Sequence, residues 1–379
     1  MSGPAEMARP RTSTRDRGEL RDRLEGWLVR RFGEAEVSPL AGPLANGMSS
    51  ETLLFDASWR ESGVRRTAAL VGRVAPDPAA VPVFPTYDME RQFRVMKTLG
   101  ELAALPIPRV LWCETDPAAL GAPFFVMERI QGEVPPDILP YTFGQSWLSQ
   151  GTPAQLARLE EQSVGLLAAL FRVDRPSERF GFLASSKPGA TPLRRFVVEL
   201  RGFYDWVSAD GVRSPLLERC FAWLDAHWPK HEGPTVLSWG DARIGNILYR
   251  DFAPVAALDW EMAALGPPEL DVGWMIALHR FFDDLSQGAG MPGMPGLLRR
   301  DAVAASYEKQ TGYAPRDLDF YTLLAALRHG IVMFRIARRM AHFGEAELPP
   351  DVDDRIAHRR MLERMLAGEY WSSPALGSS

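Results

Sequence analysis

A chain of 379 residues is long enough for about two domains, and 46% hydrophobic with 24% charged residues is the composition of a globular protein rather than a disordered or fibrous one. A net charge of -5 gives nucleic acid or an anionic membrane no clustered positive field, so neither partner is expected. The only cysteines, Cys113 and Cys220, lie far apart in no metal-ligand spacing, which argues against a disulfide scaffold or zinc site and points to a reducing, cytoplasmic setting. The opening stretch, 1–17, is polar with Pro, Gly and Ser and is expected to be a flexible leader, not a secretory signal. Next, ELRDRLEGWLVRRFG spaces Leu20, Leu24, Trp27 and Leu28 for one helix face. ETLLFDASW and RTAALVGRVAP read as strands of a hairpin or meander. PTYDMERQFRVMKTLGEL reads as a helix started by Pro85, with Phe93, Met96 and Leu99 inward. RVLWCE and PFFVMERI add two strands, and QGEVPPD (131–137) reads as a linker.

Beyond the linker, helical spacing dominates PAQLARLEEQSVGLLAALFRV, PLRRFVVELRGFYDWV, SPLLERCFAWLDAHW and LDFYTLLAALRHGIVMFRIARRMAHF. No segment supplies the roughly 18 uninterrupted apolar residues of a membrane span. The short runs TVLSW, NILYR and PVAALDW imply a strand-and-loop insert on the surface of this helical part, and GAGMPGMPG (288–296) implies a flexible loop. The sequence therefore predicts an α+β protein of two lobes, a β-rich one over 18–130 and a helical one over 131–379.

One stretch carries chemistry. In VLSWGDARIGNILYRDFAPVAALDWE, a Gly-containing loop holds Asp241 and Asn246, and an apolar run delivers Asp259 shortly afterwards. Phosphoryl transfer from a magnesium nucleotide needs one carboxylate to accept a hydroxyl proton and hard oxygen ligands to hold the metal against the phosphates. Asp241 suits the base; Asn246 and Asp259 suit the Mg2+ ligands. A lone D-x-x-x-x-N would be weak, since Asp and Asn are common in turns for local reasons, but the second Asp after a strand and the order of elements agree with it.

These residues resemble the aminoglycoside phosphotransferase-like family of the protein-kinase-like fold. WGDARIGN is similar to the family's His-Gly-Asp, four residues, Asn, and LDWE to its Asp-Trp-Glu. LGPPELDVGW resembles the continuation, with Asp271 where a buried Asp braces the catalytic loop. The resemblance implies ATP as cofactor beside Mg2+, covered by LANGMSSET through Gly47, Ser49 and Ser50. It further implies adenine on backbone groups around Met127, Glu128 and Arg129, and a phosphate-binding cation at Arg73. That cation's partner would be Gln92, with Glu90 nearby. Arg243 sits where many kinases carry a cation touching the transferring phosphate. Trp239 replaces the family His, so packing is expected in place of that residue's hydrogen bond.

The acceptor is expected to be a small hydroxylated molecule. An aminoglycoside would call for acids, available in RFFDDLSQ (Asp283, Asp284) and FGEAELPPDVDD, which read equally as solvated faces. The segment from Tyr307 to Arg339 resembles the kinase domains fused to acyl-CoA dehydrogenases, implying a hydroxyacyl-CoA acceptor. Such an acceptor would use cations such as Arg328, Arg335, Arg338 and Arg339, unless these form a solvated helix face. A nucleotide-binding regulatory protein without catalysis is the reading from another class, encouraged by Trp239, Arg73 and Gln92.

Overall fold

Short apolar runs bounded by turn-forming residues punctuate the chain up to Glu128. In the computed structural model, which describes residues 15–42 and 50–372, they form a first unit that ends at Gln131. Helix α1 (Arg17–Phe32) is capped by Asp16, whose side chain accepts from the Glu19 amide, and by Gly33 at φ +82°. It leads into β1 (Ala35–Val37), β2 (Glu51–Glu61), β3 (Val64–Val74), α2 (Met89–Glu101), β4 (Val110–Glu114) and β5 (Phe124–Glu128). The five strands make one antiparallel sheet in the order β1-β2-β3-β5-β4. The inward face of α1 meets an aromatic cluster in which Trp27 lies 5.0 Å from Phe124 and Trp59 lies 5.1 Å from Trp112.

Two expectations are corrected here. The end of the supposed leader is ordered, because Arg15 pairs with Glu51 at 3.0 Å and donates to the Ala75 carbonyl. The second helix is started by Asp88, which accepts from the Arg91 amide, rather than by Pro85. Its buried face is Met89, Gln92, Val95, Met96 and Leu99, with Phe93 only half-buried.

The second unit begins at Gly132. Its helices are α3 (Pro153–Phe171), the single turn α4 (Pro176–Arg179), α5 (Pro192–Val207) and α6 (Pro215–Ala226). Four short strands follow, β6 (Val236–Ser238), β7 (Ile247–Arg250), β8 (Ala253–Ala257) and β9 (Ala264–Gly266). The chain then continues into α7 (Glu269–Gly288), α8 (Arg300–Thr311), α9 (Leu318–His342) and α10 (Arg359–Leu366). Thr152 starts α3 with a reciprocal capping box to Gln155. β7 and β8 form a hairpin whose turn residues, Asp251 and Phe252, both have positive φ, as a tight twisted hairpin requires. β6 pairs with β9.

The helix α9 is long and apolar enough to cross a membrane by length and composition, yet two-thirds of its most apolar window is buried inside the protein. That apolarity belongs to the core, where α9 packs on α7. Gly273 of α7 makes the approach possible, since a Cβ there would sit 2.8 Å from the Tyr321 backbone. The strand-and-loop insert is not on the surface: β6, Trp239, Ile244, Gly245 and Asn246 are all buried. Nor is the 288–296 loop without anchors, because Asp283, fully buried in α7, accepts from the Met294 amide at 2.7 Å.

Candidate active site

The site in the second unit is built at strand ends. β6 delivers the chain to Trp239 and Gly240, and the loop 239–246 ends where β7 starts. Gly240 takes φ +88°, and a Cβ there would fall 2.0 Å from the Met262 carbonyl oxygen. The turn is therefore closed to any larger residue. Arg243 N–H bonds the Asp241 carbonyl at 2.9 Å and Asn246 N–H the Arg243 carbonyl at 3.0 Å, winding the loop tightly. β8 ends just before Asp259, and the Leu258 N–H bonds the Asn246 carbonyl at 2.9 Å, joining the two acid-bearing segments.

Four bonds fix the Asp241 carboxylate. The Trp274 indole N–H donates to Oδ1 at 2.8 Å, the Asn246 amide nitrogen to Oδ2 at 2.6 Å, and Arg243 Nε to both oxygens at 3.2 and 3.3 Å. With its nitrogen so engaged, Asn246 has its amide oxygen as the remaining end, an acceptor suited to a hard cation. Asp259 takes a left-handed backbone at φ +62°, an unusual conformation for a residue with a side chain.

Arg243 sits in a cage of acids. Its Nη1 reaches both Asp137 oxygens at 2.7 Å. Burial disfavours its charge, but the carboxylates of Asp137, Asp241 and Asp259 outweigh that and raise its pKa above the usual arginine value. The cation expected on the phosphate is thus held between carboxylates.

Behind the loop, Asp271 in the first turn of α7 accepts from Trp239 N–H at 2.7 Å, Gly240 N–H at 2.9 Å and the Ser238 hydroxyl at 2.8 Å. Burial raises its pKa while these three donors pull it down. Trp239 does not act by packing alone. Its indole N–H bonds the Leu258 carbonyl at 2.8 Å and the Asp259 carbonyl at 3.2 Å, and its ring stacks on Trp260 at 5.4 Å. Where packing alone was expected, the indole makes hydrogen bonds of its own and clips the Asp259 segment to the loop.

In the first unit, Arg73 of β3 is buried and donates to Thr52 Oγ1 at 2.9 Å. Gln92 is buried while Glu90 is exposed, so Gln92 occupies the inward position. Ser50 is buried with no hydrogen-bond partner for its hydroxyl among the described residues; Gly47 and Ser49 lie outside them. Met127 lies in β5 opposite Val71. Of the backbone groups around Met127, Glu128 and Arg129 expected at adenine, the Glu128 and Arg129 amides bond the Arg109 and Ala69 carbonyls, both at 2.9 Å.

The model of the phosphotransferase enzyme family (APH) matches residues 53–321, covering both units' motifs. The chain belongs to this family. Among curated proteins, this phosphotransferase is 27% identical over 259 residues to acyl-CoA dehydrogenase family member 10 of Mus musculus, covering 67% of the chain and 22% of that relative. It is 25% identical over 226 residues to acyl-CoA dehydrogenase family member 11 of Homo sapiens, covering 56% and 27%. The chain thus spans about a quarter of these relatives' length. Among solved structures, it is similar to a putative aminoglycoside phosphotransferase from Ralstonia eutropha, with TM-score 0.62, 20% identity, and 93% and 98% of the two chains covered. It is also similar to aminoglycoside phosphotransferase APH(4)-Ia in ternary complex with AMP-PNP and hygromycin B, with TM-score 0.53, 19% identity, and 91% and 99% covered. Both likenesses show the kinase-like fold, and family membership makes the chain a small-molecule kinase.

Two residues of this phosphotransferase's site, Asp137 and Trp274, escaped the sequence, and a third, Arg328, was named there in another role. Asp137 lies in a segment that read as linker, although Glu133 there pairs with Tyr249 in β7. Trp274 had a usable signal: it stands three residues after Asp271 on one helix, so both must share a face. Arg328, read as a CoA-binding cation or a solvated residue, donates to the Gly240 carbonyl at 3.2 Å.

Proposed function

We propose that the protein transfers the terminal phosphoryl group of ATP, as its magnesium complex, to the hydroxyl of a small molecule in the cytoplasm. The carrying observation is the Asp241 carboxylate, oriented by Trp274, Asn246 and Arg243 at the end of a loop braced by Asp271. The donor chemistry fits the metal: an Asn amide oxygen and the Asp259 carboxylate are hard ligands. In the first unit by itself, the buried cation at Arg73 and the Ser50 hydroxyl, without a hydrogen-bond partner among the described residues, are groups suited to phosphate oxygens. Bound magnesium neutralises charge on the phosphates. The protein's own contribution is to accept the acceptor's proton at Asp241 and to hold Asn246 and Asp259 in register through the Trp239 indole. Two free thiols, Cys113 and Cys220, support a reducing compartment.

A non-catalytic nucleotide binder has no need of a carboxylate fixed by four bonds. The acyl-CoA dehydrogenase relatives favour a hydroxyacyl thioester as a second reading of the acceptor. An Asp259→Ala variant tests the metal assignment. It is expected to remain folded and lose magnesium-nucleotide-dependent transfer, and normal turnover would remove Asp259 from the site.

A further inference from the structure

The segment that opens the second unit is pinned in place. Glu133 and Tyr249 of β7 exchange both backbone hydrogen bonds, at 2.9 and 2.8 Å. Pro135 and Pro136 have fixed φ, and the Pro136 carbonyl accepts from the Tyr141 amide at 2.8 Å. Asp137 is thereby set on a firm support beside the catalytic loop.

Among the described residues Arg243 makes two ion pairs, and the one with Asp137 is the closer. Nη1 lies 2.7 Å from both Asp137 oxygens, whereas Nε reaches the Asp241 oxygens at 3.2 and 3.3 Å. With side-chain exposures of 18% for Arg243 and 21% for Asp137, the pair is largely shielded from water, where charge-assisted bonds are strong. Gly245 makes room for it. This residue sits in the helical turn Ile244–Asn246, where no left-handed backbone demands glycine. A Cβ there would instead overlap Arg243 Nη1 and lie 2.7 Å from Asp137 Oδ1. Arg328 stacks over the Trp274 ring at 5.4 Å and bonds the Gly240 carbonyl, so Arg243 is the cation that reaches the base. A carboxylate offers about four acceptor positions. On Asp241, Trp274 and Asn246 take one on each oxygen and Nε is shared between the two, which leaves about one for an acceptor hydroxyl. A guanidinium released from Asp137 would close on Asp241 with its fork, one N–H to each oxygen, and fill that position.

We propose that Asp137 is a positioning residue for phosphoryl transfer: it holds Arg243 back from a bidentate grip on Asp241 and so keeps one acceptor position of that carboxylate open to the incoming hydroxyl. This rests on Asp241 being the base. Arg243 then orients the carboxylate through Nε without capping it, and Gly245 is small because the Arg243–Asp137 pair fills the space beside it.

The test uses the full chain with magnesium ATP and three acceptors: hygromycin B, a 3-hydroxyacyl-CoA, and water, the last read as ATP hydrolysis. Asp137→Asn keeps the shape of the side chain and removes its charge. We expect kcat to fall about 100-fold, the lower end of what a general base contributes, with little change in KM for ATP. In an Arg243→Met background no guanidinium remains to close on the base, and the same substitution should cost less than about twofold, the scatter of independent effects. Gly245→Ala keeps every charge and displaces the pair, so it should show the same dependence on Arg243; it carries the test if Asp137→Asn does not fold. A crystal structure of the Asp137→Asn variant should place two Arg243 nitrogens on Asp241, a readout that needs no turnover. Equal losses in both backgrounds would mean that Asp137 and Gly245 merely support the loop, and an Arg243 unmoved in the variant structure would mean that it needs no restraint. Either result overturns the proposal while leaving Asp241 as the base. Wild type that transfers to none of the three acceptors, water included, would remove the base and this proposal together.

Discussion

At the scale of single residues, the account turns on how one carboxylate is aimed. Asp241 could rotate about its side-chain torsions, and Trp274, Asn246 and Arg243 remove that freedom from three directions. Trp274→Phe keeps most of the packing on Arg328 and deletes only the indole donor. We expect kcat to fall about 10- to 150-fold with little change in nucleotide affinity, since one hydrogen bond to a charged group contributes roughly 1.5–3 kcal/mol. Steady-state kinetics and nucleotide titration on the same variant check this, and unchanged kcat would show that the bond does not orient the base. Asp241, Asn246 and Asp259 were legible because their chemistry requires fixed types at near-fixed spacing. Trp239 was half-legible: its position was clear, but the reach of an indole donor to a carbonyl 19 residues later depends on how β8 returns to the loop.

At the scale of elements, the catalytic loop is held by a helix. α7 starts at Glu269, and its first turn puts Asp271 beneath the backbone amides of Trp239 and Gly240. The long amphipathic helices α3, α5, α6 and α9 could be read from apolar spacing. The helix α7 could not, because it is buried nearly all round and so carries no polar stripe for a periodic pattern to show. Asp271→Ala leaves two buried amides and a hydroxyl without their acceptor. At 1–3 kcal/mol for each unsatisfied buried group, the variant should lose about 3 kcal/mol or more. Denaturant unfolding measures it, and a loss below about 1 kcal/mol would mean that the loop finds other acceptors. Asp271→Asn keeps one acceptor oxygen and should fall between.

At the scale of the whole molecule, the second unit keeps several imidazoles neutral inside it. His279 is held near a pKa of about 4 by burial, against the pull of Asp283, and His358 near about 4 by burial. His329 is pushed well below its ordinary value by burial, with His358 and Arg243 adding to the effect. The unfolded chain binds protons at these sites near pH 6.5 while the folded chain does not, so stability is full above that pH and is lost as pH falls towards 4. Between pH 6.5 and 5 each such histidine should cost about 2 kcal/mol, from roughly 1.4 kcal/mol per pH unit. Denaturation midpoints at pH 7, 6 and 5 should therefore fall steeply, and a flat profile would contradict neutral burial. The central claim, that the chain is a phosphotransferase with Asp241 as its base, is tested most directly by Asp241→Asn, measuring magnesium-nucleotide affinity and acceptor phosphorylation on one preparation. The account predicts retained nucleotide binding, since Asn246 and Asp259 are untouched, with transfer reduced about a hundred- to ten-thousandfold. Undiminished phosphorylation, or loss of nucleotide binding together with transfer, would contradict it.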